Sequence, residues 1–296
     1  MKSFPFKKID AFTRGQSPGN PAACVYLDGL DDISEQEMQL IARELKGFVT
    51  EVAYLFRLET GIFLRYYSSE CEVDFCGHGT VAVMYDYIKS ATGLLNREII
   101  AVTVKKEALE VYNRIREQDC VYITAPQPQF NALKLSREEI AGALGIEPGG
   151  IDKNLDTALV NAGLNTLVVP ITSLPLCLKM FPDQAGLKSF CLDNSLDTIT
   201  VFTGDVADKT NRYRTRVFAP KYGYLEDPAT GSGNSALGYY LLNGGLWSGG
   251  PLSIEQNSSY DRPNIVRLDT VEKEGKQRVI FGGAATVKME GRYIVH

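Results

Sequence analysis

The chain has 296 residues, 44% of them hydrophobic and 23% charged, which is enough to bury one large core or two ordinary ones. Its formal charge of -5 comes without any Lys/Arg run, which points away from nucleic acids and anionic membrane surfaces and toward small-molecule partners. No stretch is apolar for the length of a membrane span, the start lacks the continuous apolar run of a secretory signal, and six cysteines without a CxxC pair fit reduced thiols in a cytoplasm.

In chain order, residues 5–13 and 22–27 read as strands separated by the turn-rich Gly15-Gln16-Ser17-Pro18-Gly19-Asn20-Pro21. Ser34 and Glu37 form a capping box for a helix whose stripe is Met38, Ile41, Ala42 and Leu45, closed at Gly47. Residues 48–56 are an apolar strand into which Glu51 is set. A carboxylate there either faces solvent on an edge or sits desolvated, ready to take or give a proton, and the pattern by itself favours the solvated edge. A strand at 61–67 leads to Cys76-Gly77-His78-Gly79-Thr80, which opens a helix with almost no polar face (Val81, Ala82, Val83, Met84, Tyr85, Tyr87, Ile88), and one strand follows over 99–112.

The Pro/Gln stretch 125–130 reads as a linker. Beyond it Ser136 and Glu139 start a short helix, a strand pair spans 155–170 around Asn161-Ala162-Gly163, and Pro175, Pro182 and Gly186 punctuate a loop-and-helix region. Strands at 197–203 and 213–218 precede Glu226-Asp227-Pro228-Ala229-Thr230-Gly231-Ser232-Gly233-Asn234, which leads into an apolar helix through Leu242 that ends at Asn243-Gly244-Gly245. Strands near 252–255, 264–268, 278–282 and 284–295 complete the chain.

Laid over each other, Cys76-Gly77-His78-Gly79-Thr80 and Thr230-Gly231-Ser232-Gly233-Asn234 share their glycines, and each follows two acidic residues, Glu72 and Asp74 or Glu226 and Asp227. The matched acidic lead and following apolar helix predict an internal duplication with two buried helices. The N-terminus of a buried helix offers unpaired N–H groups and partial positive charge, so an anion is expected at these turns.

The ordered set of Asp10-Ala11-Phe12-Thr13, Gly19-Asn20-Pro21-Ala22-Ala23, Thr50-Glu51-Val52, Cys76-Gly77-His78-Gly79-Thr80, Glu226-Asp227-Pro228-Ala229-Thr230-Gly231-Ser232, Arg262-Pro263 and Gly282-Gly283-Ala284 covers nearly the whole chain. It resembles the PhzF-like (phenazine-biosynthesis) family, which is similar in fold to diaminopimelate epimerase. The resemblance implies an α+β fold of two pseudo-symmetric halves, each a curved mixed β-sheet or barrel wrapped around a central apolar helix, with the site in the cleft between them. The halves are expected at 1–125 and 126–282, with 283–296 a final strand returning to the first half; a cytoplasmic homodimer is implied as well.

By the same resemblance Glu51 matches the family's proton-shuttling acid, which reverses the solvated reading. His78, Asp227 and Ser232 match polar residues around the substrate, with Glu51, His78 and Asp227 expected as the catalytic set. Gly77, Gly79, Gly231, Ser232 and Gly233 are expected to offer N–H groups to a substrate carboxylate or developing enolate. In the phenazine enzyme the reaction is isomerisation of trans-2,3-dihydro-3-hydroxyanthranilate, a proton passing from one carbon to another through a carboxyl group without metal or organic cofactor. No cofactor is expected here; with two histidines, one of them His296, ligands for zinc are too few at sensible spacing.

Two departures bear on specificity. Asn257 and Asp261 stand where the family usually has glycines, and both residue types tolerate positive φ, so the turn is expected to survive. Cys76-Gly77-His78-Gly79 also resembles the first cysteine motif of proline racemases and diaminopimelate epimerases, but Thr230 replaces their second cysteine, which disfavours a symmetric two-thiol racemase. Cys76 is either a base activated by its helix N-terminus or a small buried hydrophobe. Gly231-Ser232-Gly233-Asn234-Ser235-Ala236 with Glu255 downstream fits a dinucleotide fingerprint, but Pro228 interrupts its lead strand and the helix stops early. Three readings stay in view: a cofactor-independent isomerase of small carboxylates, an amino-acid racemase or epimerase using Cys76, and a non-catalytic binder of small carboxylates.

Overall fold

The computed structural model describes residues 2–105 and 107–295. Chain order is β1 (Lys2–Ala11), β2 (Asn20–Leu27), α1 (Glu35–Glu44), β3 (Glu51–Leu58), β4 (Gly61–Ser68), β5 (Glu72–Val73), α2 (Gly77–Ser90), β6 (Ile99–Val104), β7 (Glu107–Arg114), α3 (Ile115–Gln118) and β8 (Cys120–Thr124). It continues with β9 (Gln129–Asn131), α4 (Arg137–Leu144), β10 (Ala158–Asn161), β11 (Asn165–Pro170), α5 (Leu174–Lys179), α6 (Gln184–Asp193), β12 (Thr198–Thr203), β13 (Tyr213–Phe218), β14 (Glu226–Asp227), α7 (Gly231–Asn243), β15 (Leu252–Gln256), β16 (Asn264–Lys273), β17 (Lys276–Gly283) and β18 (Ala285–Val295). Unit 1 comprises residues 1–13, 18–124 and 282–296, and unit 2 comprises residues 14–17 and 125–281.

Within unit 1 the sheet runs β18-β1-β2-β3-β4-β6-β7-β8, with β2·β3 and β4·β6 parallel and the other neighbours antiparallel. Helix α2 touches β1, β2 and β3 and also β18 and β8 at the two ends of that order, so the sheet curves around it. This is what its sequence demands: Val81, Ala82, Val83 and Met84 are successive residues pointing all round the helix, and all are fully buried. Helix α1 lies outside, with only Met38, Ile41 and Ala42 buried along one stripe, against Val52, Tyr54 and Phe56 among others.

Unit 2 repeats the plan. Its strands run β9-β10-β11-β12-β13-β15-β16, with β11·β12 and β13·β15 parallel and the others antiparallel, the alternation found from β1 to β7. Helix α7 packs on β10, β11, β12 and β16, with Ala236, Leu237 and Leu241 fully buried. The molecule is therefore an α+β protein of two pseudo-symmetric halves, each a curved mixed sheet around a central apolar helix.

Several strand boundaries depart from expectation: β1 spans Lys2–Ala11, β16 extends to Lys273 and β9 falls at the end of the expected linker. Residues 99–112 form a hairpin of β6 and β7, with Lys105 at φ 52 after Val104, and no Gly, Pro or Asn marks the turn. Strand β3 begins at Glu51 and not at Phe48, so Glu51 heads the apolar strand instead of interrupting it.

Candidate active site

In unit 1 the site residues are positioned by the short strand β5. Tyr66 pairs with Val73 and Tyr67 with Glu72, and Arg65 grips the Glu72 carboxylate through two bonds, Nε to Oε1 at 2.8 Å and Nη2 to Oε2 at 2.9 Å. That fork, whose hydrogen bonds to Glu72 raise the guanidinium's hold on its proton, sets the chain that enters α2. Cys76 is the N-cap, and the next turn turns His78 back toward the head of β3. There His78 Nε2 lies 3.5 Å from Glu51 Oε2, with the two side chains 13% and 25% exposed. The Cys76 thiol, nearly buried, is 3.5 Å from His78 Nδ1. One acid, one imidazole and one thiol thus share a corner, and all their ligand atoms lie within 4.8 Å of one another.

The helix behind this corner is left open at its end. Helices α1, α4, α5 and α6 are capped by the side chains of Ser34, Ser136, Ser173 and Asp183, whereas the N-caps of α2 and α7, Cys76 and Thr230, make no side-chain cap. Gly77, His78 and Gly79, and likewise Gly231, Ser232 and Gly233, are the first residues of those two helices, whose N–H groups have no partner four residues back. Thr80 and Tyr66 hold the α2 turn from inside: Thr80 Oγ1 donates to the Cys76 carbonyl at 2.7 Å and lies 2.6 Å from the Tyr66 hydroxyl. Burial pushes the Tyr66 phenol up, so it stays neutral.

Unit 2 builds the same turn with different chemistry. Arg216 grips Glu226 as Arg65 grips Glu72, Nε to Oε1 at 2.9 Å and Nη2 to Oε2 at 2.7 Å, and β13 pairs Val217 with Asp227 and Phe218 with Glu226. The registers make Glu226 the counterpart of Glu72 and Asp227 the counterpart of Val73. Asp74 has no such role: it is exposed and pairs with Lys105. The matched acidic lead therefore reduces to one glutamate per half, each a strand lock. Asp227 instead accepts a hydrogen bond from Thr230 Oγ1, and Ser232 is half-buried in the first turn of α7.

Residues that sequence reasoning missed hold this second turn. Gln256, fully buried, accepts from Thr230 N at 2.9 Å and Asn234 Nδ2 at 2.7 Å while donating to the Asp227 carbonyl at 2.8 Å. Asn264 Nδ2 donates to the Pro228 carbonyl at 2.8 Å. Their signal was an amide at an inward position of an otherwise apolar strand, which has to find partners when buried. Glu255, spaced for a ribose contact, is instead sealed against Arg214, both side chains 0% exposed, and accepts from Ala207 N, Asp208 N and Asn211 Nδ2. Asn257 adopts φ 113 and its amide bonds Ser259 N and the Arg262 carbonyl, as a residue replacing glycine requires; Asp261 is not in the left-handed region.

The register of β3 on β4 against β12 on β13 places Tyr54 opposite Arg65 and Val201 opposite Arg216, so the counterpart of Glu51 is Thr198. Cys76, His78 and Glu51 thus correspond to Thr230, Ser232 and Thr198. Unit 1 carries a carboxylate, an imidazole and a thiol, and unit 2 carries hydroxyls at the same places.

Among the described residues no helix is long and apolar enough to cross a membrane. A family model described as "Phenazine biosynthesis-like protein" matches residues 9–291. The chain is 31% identical over 290 residues to "Uncharacterized isomerase YfhB" of Bacillus subtilis, covering 96% of this chain and 97% of that one. It is 28% identical over 266 residues to trans-2,3-dihydro-3-hydroxyanthranilate isomerase of Pseudomonas fluorescens, covering 87% of each. A crystal structure of a PhzF-family phenazine biosynthesis protein from Bacillus anthracis superposes with a TM-score of 0.87 at 26% identity over the whole of both chains. A matched motif set, a duplicated fold and a whole-length family match converge: the chain is an isomerase of the phenazine biosynthesis-like (PhzC-PhzF) family.

Proposed function

We propose that the protein is a cofactor-independent isomerase that moves a proton between two carbons of a small carboxylate-bearing substrate, with Glu51 as the shuttle. One observation carries the reading: Glu51 stands against His78 at the uncapped N-terminus of a buried helix, while its counterpart in the other half is Thr198. Glu51 takes a proton from a substrate carbon, and the pair of electrons from that C–H bond enters the adjoining unsaturated system. Negative charge grows on the substrate's oxygens, where helix N–H groups stabilise it. The same carboxyl then returns the proton to a second carbon, so substrate and product have one composition. His78 orients or polarises the substrate's amino or hydroxyl group and holds the carboxylate in place. Asp227, Ser232 and the first turn of α7, with Gly231 and Gly233, bind polar groups of the substrate.

The dihydroanthranilate acted on by the Pseudomonas relative belongs to this substrate class and heads the set to be tried. The test is proton-to-deuterium exchange in heavy water followed by NMR, over dihydroanthranilate, amino-acid and hydroxy-acid substrates. Wild type is expected to exchange at least one of them, and Glu51→Gln to lose about 10²–10⁴-fold in rate while still binding it. Full exchange in that variant overturns the assignment. Ligand-induced thermal stabilisation without exchange of any compound would instead identify a binder.

A further inference from the structure

We propose that Glu51, Cys76 and His78 form a binding site for a thiophilic divalent cation of the zinc class, and that the cation blocks the enzyme. The inhibitory part rests on the proton-shuttle reading above; the binding part does not.

A thiol, an imidazole and a carboxylate are the three donor types that zinc uses, and three protein ligands with a fourth position open are the usual form of an exchangeable zinc site. Zinc–sulfur bonds of about 2.3 Å and zinc–nitrogen or zinc–oxygen bonds of about 2.0–2.2 Å place tetrahedral ligand atoms about 3.3–3.6 Å apart. Here His78 Nε2 is 3.5 Å from Glu51 Oε2 and 4.0 Å from Cys76 Sγ. All three donors already lie within 4.8 Å of one another, so small side-chain rotations complete the tetrahedral spacing.

Cys76 is the N-cap of α2 and its sulfur stands at the same corner as the His78 imidazole. Thr80 and Tyr66 fix the backbone of that cap, so thiol and imidazole are held two residues apart on a rigid turn. Glu51, a quarter exposed, gives a hydrated ion its way in. Magnesium and calcium, which require oxygen ligands, gain nothing from the sulfur and nitrogen. Histidine count and CxxC spacing do not reveal this cluster, because its third ligand comes from the head of a strand far upstream. An ion held here occupies the carboxylate that must accept the proton and the imidazole beside it, so it inhibits and does not assist.

The test uses the full chain, stripped with chelator and kept reduced. Cobalt(II) is titrated while the thiolate-to-cobalt absorption is followed, and zinc is then added as competitor. One equivalent per chain is expected, displaced by zinc and untouched by magnesium. Cys76→Ser should abolish the band and weaken zinc at least tenfold, and His78→Gln should also weaken zinc. Cys71→Ser, which removes the exposed thiol outside the cluster, should change neither. No thiolate band in wild type, or a band that survives Cys76→Ser, overturns the site. With an exchanging substrate in hand, zinc should stop wild-type exchange, and Cys76→Ser should need at least tenfold more of it. Zinc binding without any isomerase activity would leave the site standing and remove the shuttle reading; exchange that zinc never inhibits would remove the inhibitory role alone.

Discussion

Glu51 and Thr198 occupy the same place in the two halves, so one half has a carboxylate where the other has a hydroxyl. The same substitution of function runs through Cys76 and Thr230 and through His78 and Ser232. Thr230 stands where a second thiol base would be, and on the proposed reading Cys76, 3.5 Å from His78 Nδ1, positions the imidazole. Cys76→Ala should accordingly lower exchange by at most about tenfold, far less than Glu51→Gln, as expected for a lost positioning contact beside a retained general base. Exchange kinetics of both variants on one substrate check this, and a loss in Cys76→Ala as deep as that in Glu51→Gln would favour the racemase.

At the scale of elements, each half depends on a short strand that is locked by an arginine fork and then turns sharply into a buried helix. The turn tolerates no side chain at its first glycine in unit 2: a Cβ on Gly231 would fall 2.1 Å from Phe281 Cε2. Gly231→Ala should therefore destabilise by about 1–3 kcal/mol or more, the range for forcing extra atoms into a packed core. Adding Phe281→Leu should recover part of the loss, and denaturant titration of the single and double variants reads the coupling. The two-point pair Arg216–Glu226 and the fully buried, single-bonded pair Arg214–Glu255 belong to the same logic. Each charge is taken from water only because a partner and further hydrogen bonds meet it.

For the molecule as a whole, the buried thiols and phenols set an alkaline limit. Burial pushes Cys177 from 9.0 up to about 12 and Cys191 to about 11, and raises Cys24, Tyr26 and Tyr54 as well. The unfolded chain loses these protons from about pH 9 upward while the folded chain keeps them, so the unfolded state gains by ionising first. Stability contributed by the neutral groups is complete below pH 9 and is lost as pH rises toward 11–12. Thermal melts from pH 7 to 11 should show a flat region and then a fall in Tm; an unchanged Tm at pH 11 would contradict it.

The sequence by itself determined the repeated turn, the two all-apolar helices and the capping boxes, because these depend on periodicity and on contacts three or four residues apart. It brought the residues of both turns into view, and the family resemblance raised Glu51 above the solvated strand residue that its pattern suggested. Only the tertiary structure decided that Glu51 heads its strand beside His78 and Cys76, that Glu72 and Glu226 are locks for Arg65 and Arg216, and that Gln256 and Asn264 hold the second turn. Those facts depend on strand register and on amides and charges paired across the sheet. Such pairings join residues far apart in the chain, and no local pattern specifies the partner.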